Sequence, residues 1–279
     1  MLWWIARRSP LAALLSGVLL APLTLQAEET SSVRHQLSLG SYYSRGDYGE
    51  SSNTEVYFVP LGYEYHGDGW RLRASAPWLR ISGPGSVLVN IGGVTRPDAP
   101  AEDEEALLQQ RTASEGLGDV ILGLSWELPA WSQSAPFIDF GLELKLPSAD
   151  AEARLGTGAA DLAVQVDFYW QLGEGALFST LGYRFRGPSD WYEALQDGGF
   201  VSLGFARNLA QQQWPGEFSW GVIHDYRQAA SGLSRPTHEL LPYLSWQPQP
   251  QWTMMSYLVR GFGRDTPDYA IGLQLTRRW

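Results

Sequence analysis

The chain contains no cysteine. No disulfide framework is possible, even in an oxidising compartment, and thiolate zinc sites are excluded with it. Beyond its first two dozen residues it has no apolar run approaching the ~20 residues that a membrane-spanning helix needs. Any crossing of a membrane must therefore be made by strands. Nucleotide motifs are also missing. Gly116-Leu117-Gly118-Asp119 has two of the three glycines of a dinucleotide fingerprint and leads into a strand-like segment, and there is no P-loop. Positive charge is scarce: 20 Lys and Arg against 30 Asp and Glu give a net charge of -10, which offers no electrostatic basis for binding nucleic acid.

What the chain does have is aromatic residues and glycine. It carries 13 Trp, 13 Tyr, 10 Phe and 30 Gly, more than a soluble domain of this length calls for, and a supply suited to aromatic girdles and many turns. The hydrophobic fraction is 44% and the mean hydropathy is -0.21, too polar for a helical membrane protein. A barrel tolerates this because every second strand residue can face water. The amino terminus has the parts of a secretory signal peptide: Arg7-Arg8, the apolar run Leu11–Leu20, and small Ala27 before Glu28-Glu29. Cleavage after Ala27 is expected to leave residues 28–279 as one domain. Its charge would be about -12, from -10 less Arg7 and Arg8.

Period-2 alternation recurs along the chain and argues for strands. From Tyr269 onward one face reads Tyr269, Ile271, Leu273, Leu275, Arg277, Trp279, and the other Asp268, Ala270, Gly272, Gln274, Thr276. Phe137–Leu146 puts Ile138, Phe140, Leu142 and Leu144 against Asp139, Gly141, Glu143 and Lys145. Similar alternation occurs in 70–78, 120–128, 162–172, 177–185 and 201–206, and more weakly in 33–43, 55–65, 217–226, 238–246 and 252–262. These twelve segments predict an all-β, antiparallel up-and-down transmembrane barrel. With the amino terminus periplasmic, longer connections (near 46–53, 83–116, 147–158, 187–198, 227–237, 263–267) alternate with shorter ones, as in outer-membrane barrels. Tyr65, Trp70, Trp126, Trp170, Trp246, Trp252 and Trp279 then mark the periplasmic interface, and Tyr43, Trp78, Phe185 and Tyr269 the outer one. A soluble β-sandwich would share the alternation but not the loop asymmetry or the girdles.

The facing assigns candidate pore-lining residues: Arg71, Arg73, Glu127, Asp139, Glu143, Lys145, Asp167, Arg184 and Arg186. Twelve strands lie between filled eight-stranded barrels and open sixteen-stranded porins. These mixed charges are therefore either a salt-bridge lattice filling the lumen or the lining of a polar pore. The longest connection, 83–116, includes an acidic stretch, 102–111, suited to a short helix. No carboxylate spacing specifies a metal site, and no cofactor is expected.

A search for catalytic residues yields none. Outer-membrane phospholipases and lipid deacylases set His and Ser two residues apart on one strand face. None of His35, His66, His224 and His238 is followed by Ser at that spacing. His224-Asp225 reads as a polar rim pair, since strand neighbours face opposite ways.

Three patches carry a family resemblance: Gly116-Leu117-Gly118-Asp119-Val120; Lys145-Leu146-Pro147-Ser148-Ala149-Asp150 with Leu155-Gly156-Thr157-Gly158-Ala159-Ala160-Asp161; and Pro267-Asp268-Tyr269. Together they resemble the transporter-like outer-membrane family of the meta-pathway phenol degradation type, with Ala149 where its members usually have glycine. The terminal strand also resembles the one by which outer-membrane proteins are recognised by the barrel-assembly machinery, although Arg277 replaces the usual aromatic there. The resemblance implies a Gram-negative outer-membrane channel for passive uptake of a small organic solute, aromatic compounds among the candidates. The partners expected are membrane lipid, lipopolysaccharide, the assembly machinery and the solute. A barrel enzyme of lipid-hydrolase type and a plugged structural barrel remain the alternatives.

Overall fold

A computed structural model of the chain describes residues 34–48, 52–83, 87–88, 92–93, 112–129, 131–132, 135–192, 195–209 and 214–279. The expected signal peptide and the acidic stretch 102–111 lie outside these residues.

Strands β1 (His35–Gly46), β2 (Thr54–His66) and β3 (Trp70–Gly83) are followed by two short strands paired antiparallel, β4 (Val87–Leu88) and β5 (Gly92–Gly93). Then come β6 (Thr112–Leu117), β7 (Val120–Glu127), β8 (Phe137–Leu146), β9 (Asp161–Leu172), β10 (Gly175–Arg186) and β11 (Gly198–Leu209). The last four are β12 (Glu217–Arg227), β13 (Thr237–Gln249), β14 (Trp252–Gly261) and β15 (Tyr269–Arg278). Each long strand pairs antiparallel with its sequence neighbours, and β15 pairs with β1, closing a twelve-stranded up-and-down barrel.

β6 and β7 together make one stave, because both pair with β3. The register slips by one between Trp78↔Leu117 and Ser75↔Ile121, which is the signature of a β-bulge at Gly118-Asp119. The extra residue reverses the facing: Ala113, Glu115 and Leu117 point out above it, Leu122 and Trp126 below it. The connection expected at 83–116 thus gives up residues 112–116 to β6.

The two faces are opposite in chemistry. On β8, Phe140 is 46% exposed, Leu142 41% and Leu144 39%, whereas Asp139, Glu143 and Lys145 are 5–8% exposed. A soluble sandwich would bury the leucines. All eleven girdle residues named above lie on outward strand positions or, for Trp279, just beyond. Two tight periplasmic turns use glycine for its conformation: Gly69 at φ 80° and Gly173 at φ 61°, where nothing crowds a Cβ and the left-handed backbone is the requirement.

The barrel seam reaches the last residue. The Trp279 N–H donates to the His35 carbonyl at 3.0 Å, and its own carbonyl accepts from the Arg34 and His35 N–H groups at 3.1 and 3.0 Å. Its ring stacks on His35 with centroids 5.6 Å apart.

The charged wall, the aromatic wall and the mouth

The inward face divides into two walls. On β3 and β7 to β10 it is charged. Arg71 pairs with Asp139, and Arg184 Nη2 donates to Glu143 Oε1 at 2.6 Å. Asp167 accepts from Gln165 Nε2 at 2.8 Å and from the Thr180 hydroxyl. Arg73 stands opposite Glu64 in register, and Glu64 in turn meets His66 at 2.6 Å. Lys145 Nζ lies 3.1 Å from Asp119 Oδ2 and 3.2 Å from Asp161 Oδ2, and also donates to the Thr157 hydroxyl. Glu127 is half-buried near the periplasmic end, opposite Asp139. Arg186 is at the outer mouth and turns to the loop, donating to the Gln196 carbonyl. All nine candidate lining residues therefore lie on inward positions. Charges removed from water need partners in this way, whether or not solute passes them.

Mostly across from it, though reaching back to Tyr169 on β9 and Phe178 on β10 and interrupted by Asp225, Arg227 and Glu239 on β12 and β13, is a second wall that the sequence reading did not list. Tyr42, Phe178, Ile223, Leu241, Tyr243, Met255 and Val259 form an inward apolar cluster, with Phe58, Tyr169 and Tyr257 packed against it. Its rings lie against the barrel wall rather than across the lumen, because glycines make room. Tyr257 covers Gly272, Tyr243 covers Gly221 and Phe178 covers Gly204, each the residue directly opposite in register. Adding a Cβ at Gly272 would drive it into the Tyr257 ring. Gly272→Ala is expected to cost about 1–3 kcal/mol, the range for overpacking, in urea unfolding in liposomes. A cost below about 0.5 kcal/mol would mean that the ring does not rest on this glycine.

The outer mouth is built from the patches that carried the family resemblance. The 147–160 loop is tied to the bulge: Ser148 Oγ accepts from the Val120 N–H at 2.8 Å, and Asp119 Oδ1 from the Ala149 N–H at 3.0 Å. Leu155 packs on inward Leu79 and Ile81. The next loop locks it from above, with the buried Tyr192 hydroxyl donating to the Ala151 carbonyl at 3.1 Å and Ser189 to the Thr157 carbonyl. Motifs 26 and 16 residues apart thus converge on Lys145. On the far side of the mouth, burial raises the Tyr48 phenol pKa well above its ordinary value, so it stays protonated beside Ser44.

His224 and Asp225 take opposite faces near the outer end of β12, as strand neighbours must. Asp225 points inward, bonded to Ser202 and, at 2.8 Å, to Arg227. His224 points outward and contacts His238, ring centroids 5.6 Å apart. No nucleophile–base pair arises there, because the strand places the histidine on the other side of the wall.

No protein-family model matches the sequence, and no curated protein matches it. Solved structures do. The chain is similar to the COG4313 outer membrane channel from Pseudomonas putida F1, with a TM-score of 0.63 over 90% of this chain and 97% of that one at 14% identity. It is also similar to the KdgM porin, with a TM-score of 0.51 over 87% and 99% of the two chains at 9% identity. At such identities the likeness is one of fold. A closed barrel with an outward apolar belt is the architecture of Gram-negative outer-membrane proteins, and that membrane is where the chain belongs.

Proposed function

We propose that the protein is an outer-membrane channel for passive uptake of a small organic solute, aromatic compounds among the candidates. The observation that carries this reading is the two-walled lumen. A paired charged wall conducts water and polar groups, while Tyr42, Phe178, Tyr243 and Tyr257 offer ring faces to an apolar body. The nine charged residues named above are its proposed lining. The fold-level likeness to a channel and a porin agrees with it, as does the sequence resemblance to a transporter-like family of the phenol-degradation type. The test is single-channel recording of the purified protein in a planar bilayer, with and without added aromatic and aliphatic solutes. Discrete conductance steps blocked preferentially by the aromatic solute are expected.

A second reading, a structural barrel, has one observation in its favour: most inward side chains are buried. Absence of conductance from folded, heat-modifiable protein would select it.

Assembly is proposed to proceed through β15 and the barrel-assembly machinery. Because Trp279 closes the seam against β1, deleting it is expected to leave protein in the periplasm. Undiminished heat-modifiable barrel in the outer membrane would remove the residue from that role.

A further inference from the structure

One stretch of the outward face departs from the rule that governs the rest. On β12, β13 and β14 a row of basic side chains, two histidines and an arginine, borders the apolar belt at its outer edge. His224 is opposite Leu240, and Leu240 is opposite Arg260, so His224 and Arg260 flank one leucine on the same face. His238 sits one outward position higher on β13, in ring contact with His224 and, at 4.8 Å, with Tyr226. His224, His238 and Arg260 are all exposed. Between and below them the surface is Leu240, Leu258 and Ile271, 36–56% exposed and facing lipid.

The height of the row can be read from the strands. Eight residues separate Trp252, in the periplasmic girdle, from Arg260, and eight separate Trp246 from His238. That is about 27 Å of strand at ~3.4 Å per residue. At a tilt of about 40° it gives roughly 20 Å of barrel height, close to the ~25 Å apolar band of such barrels. The row therefore stands where the outer leaflet changes from acyl chain to headgroup.

Outward arginines elsewhere are satisfied by the protein. Arg80 pairs with Glu115 at 3.6 Å, Arg207 with Glu174 at 3.4 Å, and Arg277 lies over the rings of Trp252 and Trp279. Arg260 has no carboxylate within ion-pair distance among the described residues; it donates to the Asp268 main-chain carbonyl. Two histidines and an arginine are thus gathered at a lipid boundary on a protein with a net charge of -10, and no acidic side chain of the row answers them.

We infer that His224, His238 and Arg260 form a binding site for a phosphate of an outer-leaflet glycolipid. The headgroup phosphate supplies the missing acceptor, and the acyl chains lie on Leu240, Leu258 and Ile271. Guanidinium and imidazole N–H groups suit phosphate oxygens, and the adjoining belt distinguishes an anchored phosphate from a free one. The site depends on the outer-membrane fold and its orientation, not on conduction through the lumen.

The test uses native mass spectrometry of full-length protein refolded in detergent, offered diphosphorylated lipid A, its dephosphorylated form, or phosphatidylglycerol. Wild-type protein is expected to retain one diphosphorylated lipid A. The triple variant His224→Gln, His238→Gln, Arg260→Gln should lose at least about tenfold in retention, the equivalent of one charge-assisted hydrogen bond. An Arg207→Gln variant at the periplasmic rim should bind as wild type does. Heat-modifiability confirms that each variant is folded. Equal retention by wild type and triple variant, or equal retention of the dephosphorylated lipid, overturns the proposal. Equal retention of phosphatidylglycerol overturns it too, since the row would then be a general anionic-lipid contact.

Discussion

Lys145→Met is expected to destabilise the barrel by roughly 3–5 kcal/mol, the cost of removing one partner from a buried ion pair. Lys145 is the only cation within ion-pair distance of Asp119 and Asp161 among the described residues, and both carboxylates are held under the folded 147–160 loop. Methionine fills most of the lysine's volume, so little of the loss comes from a cavity. Two carboxylates are left facing each other without a counter-ion. The loss should be local at first. The loop is fastened to Asp119 through the Ala149 N–H, and Asp119 would seek water. Proteolysis of the 147–160 loop should therefore accelerate before the barrel melts. The double variant with Asp119→Asn should recover part of the loss, and a double-mutant cycle gives the coupling directly. Urea unfolding in liposomes, followed by tryptophan fluorescence, measures all three. A loss under about 1 kcal/mol, the level of an exposed pair, would mean that water already reaches the knot and the mouth is open there.

The barrel itself was legible because seven staves obey strict alternation. Charged residues inside and leucines outside give β8 a pattern with one interpretation. The five weaker segments, now β1, β2, β12, β13 and β14, are the strands that contribute most of the aromatic wall. Tyr42, Tyr243, Met255 and Tyr257 are apolar residues on inward positions, so both faces of those strands are greasy and the period fades. The same chemistry that blurred the signal is the part of the lumen the sequence reading missed. A cue was available in register: Phe178, Tyr243 and Tyr257 each face a glycine on the neighbouring strand, a pairing visible only once partners are known. β6 was hidden for a different reason. The bulge at Gly118-Asp119 reverses the facing, so a phase carried upward from Leu122 and Trp126 fails at Leu117.

The motif patches had looked like separate turn elements. Their side chains show why they belong together. Asp119 is available because the bulge re-aims it, Lys145 because β8 ends there, and Asp161 because β9 begins opposite, paired with Lys145 in register. The knot is thus a product of strand topology, and no spacing in the linear sequence announces it.

Leu142→Arg is expected to cost about 2–4 kcal/mol, and its neighbour two positions along the same face, Leu146→Arg, no more than about 1. Leu142 is the central outward residue of β8, flanked in register by outward Leu124 and Val164. An arginine there must carry its charge into the acyl core or thin the bilayer around it. Leu146 ends the strand at the outer edge of the belt, where the same side chain reaches headgroups and water. Side-chain chemistry, strand and facing are identical in the two variants, so their difference reports depth in lipid alone. The contrast should narrow in a thinner bilayer, because the Leu142 position then lies nearer to water. Urea unfolding in liposomes of two acyl-chain lengths makes the measurement. If Leu146→Arg is as costly as Leu142→Arg in both, the penalty comes from packing and the outward face is not the lipid face. If the gradient appears and shrinks with bilayer thickness, the belt drawn from the strands is the span of this barrel in its membrane.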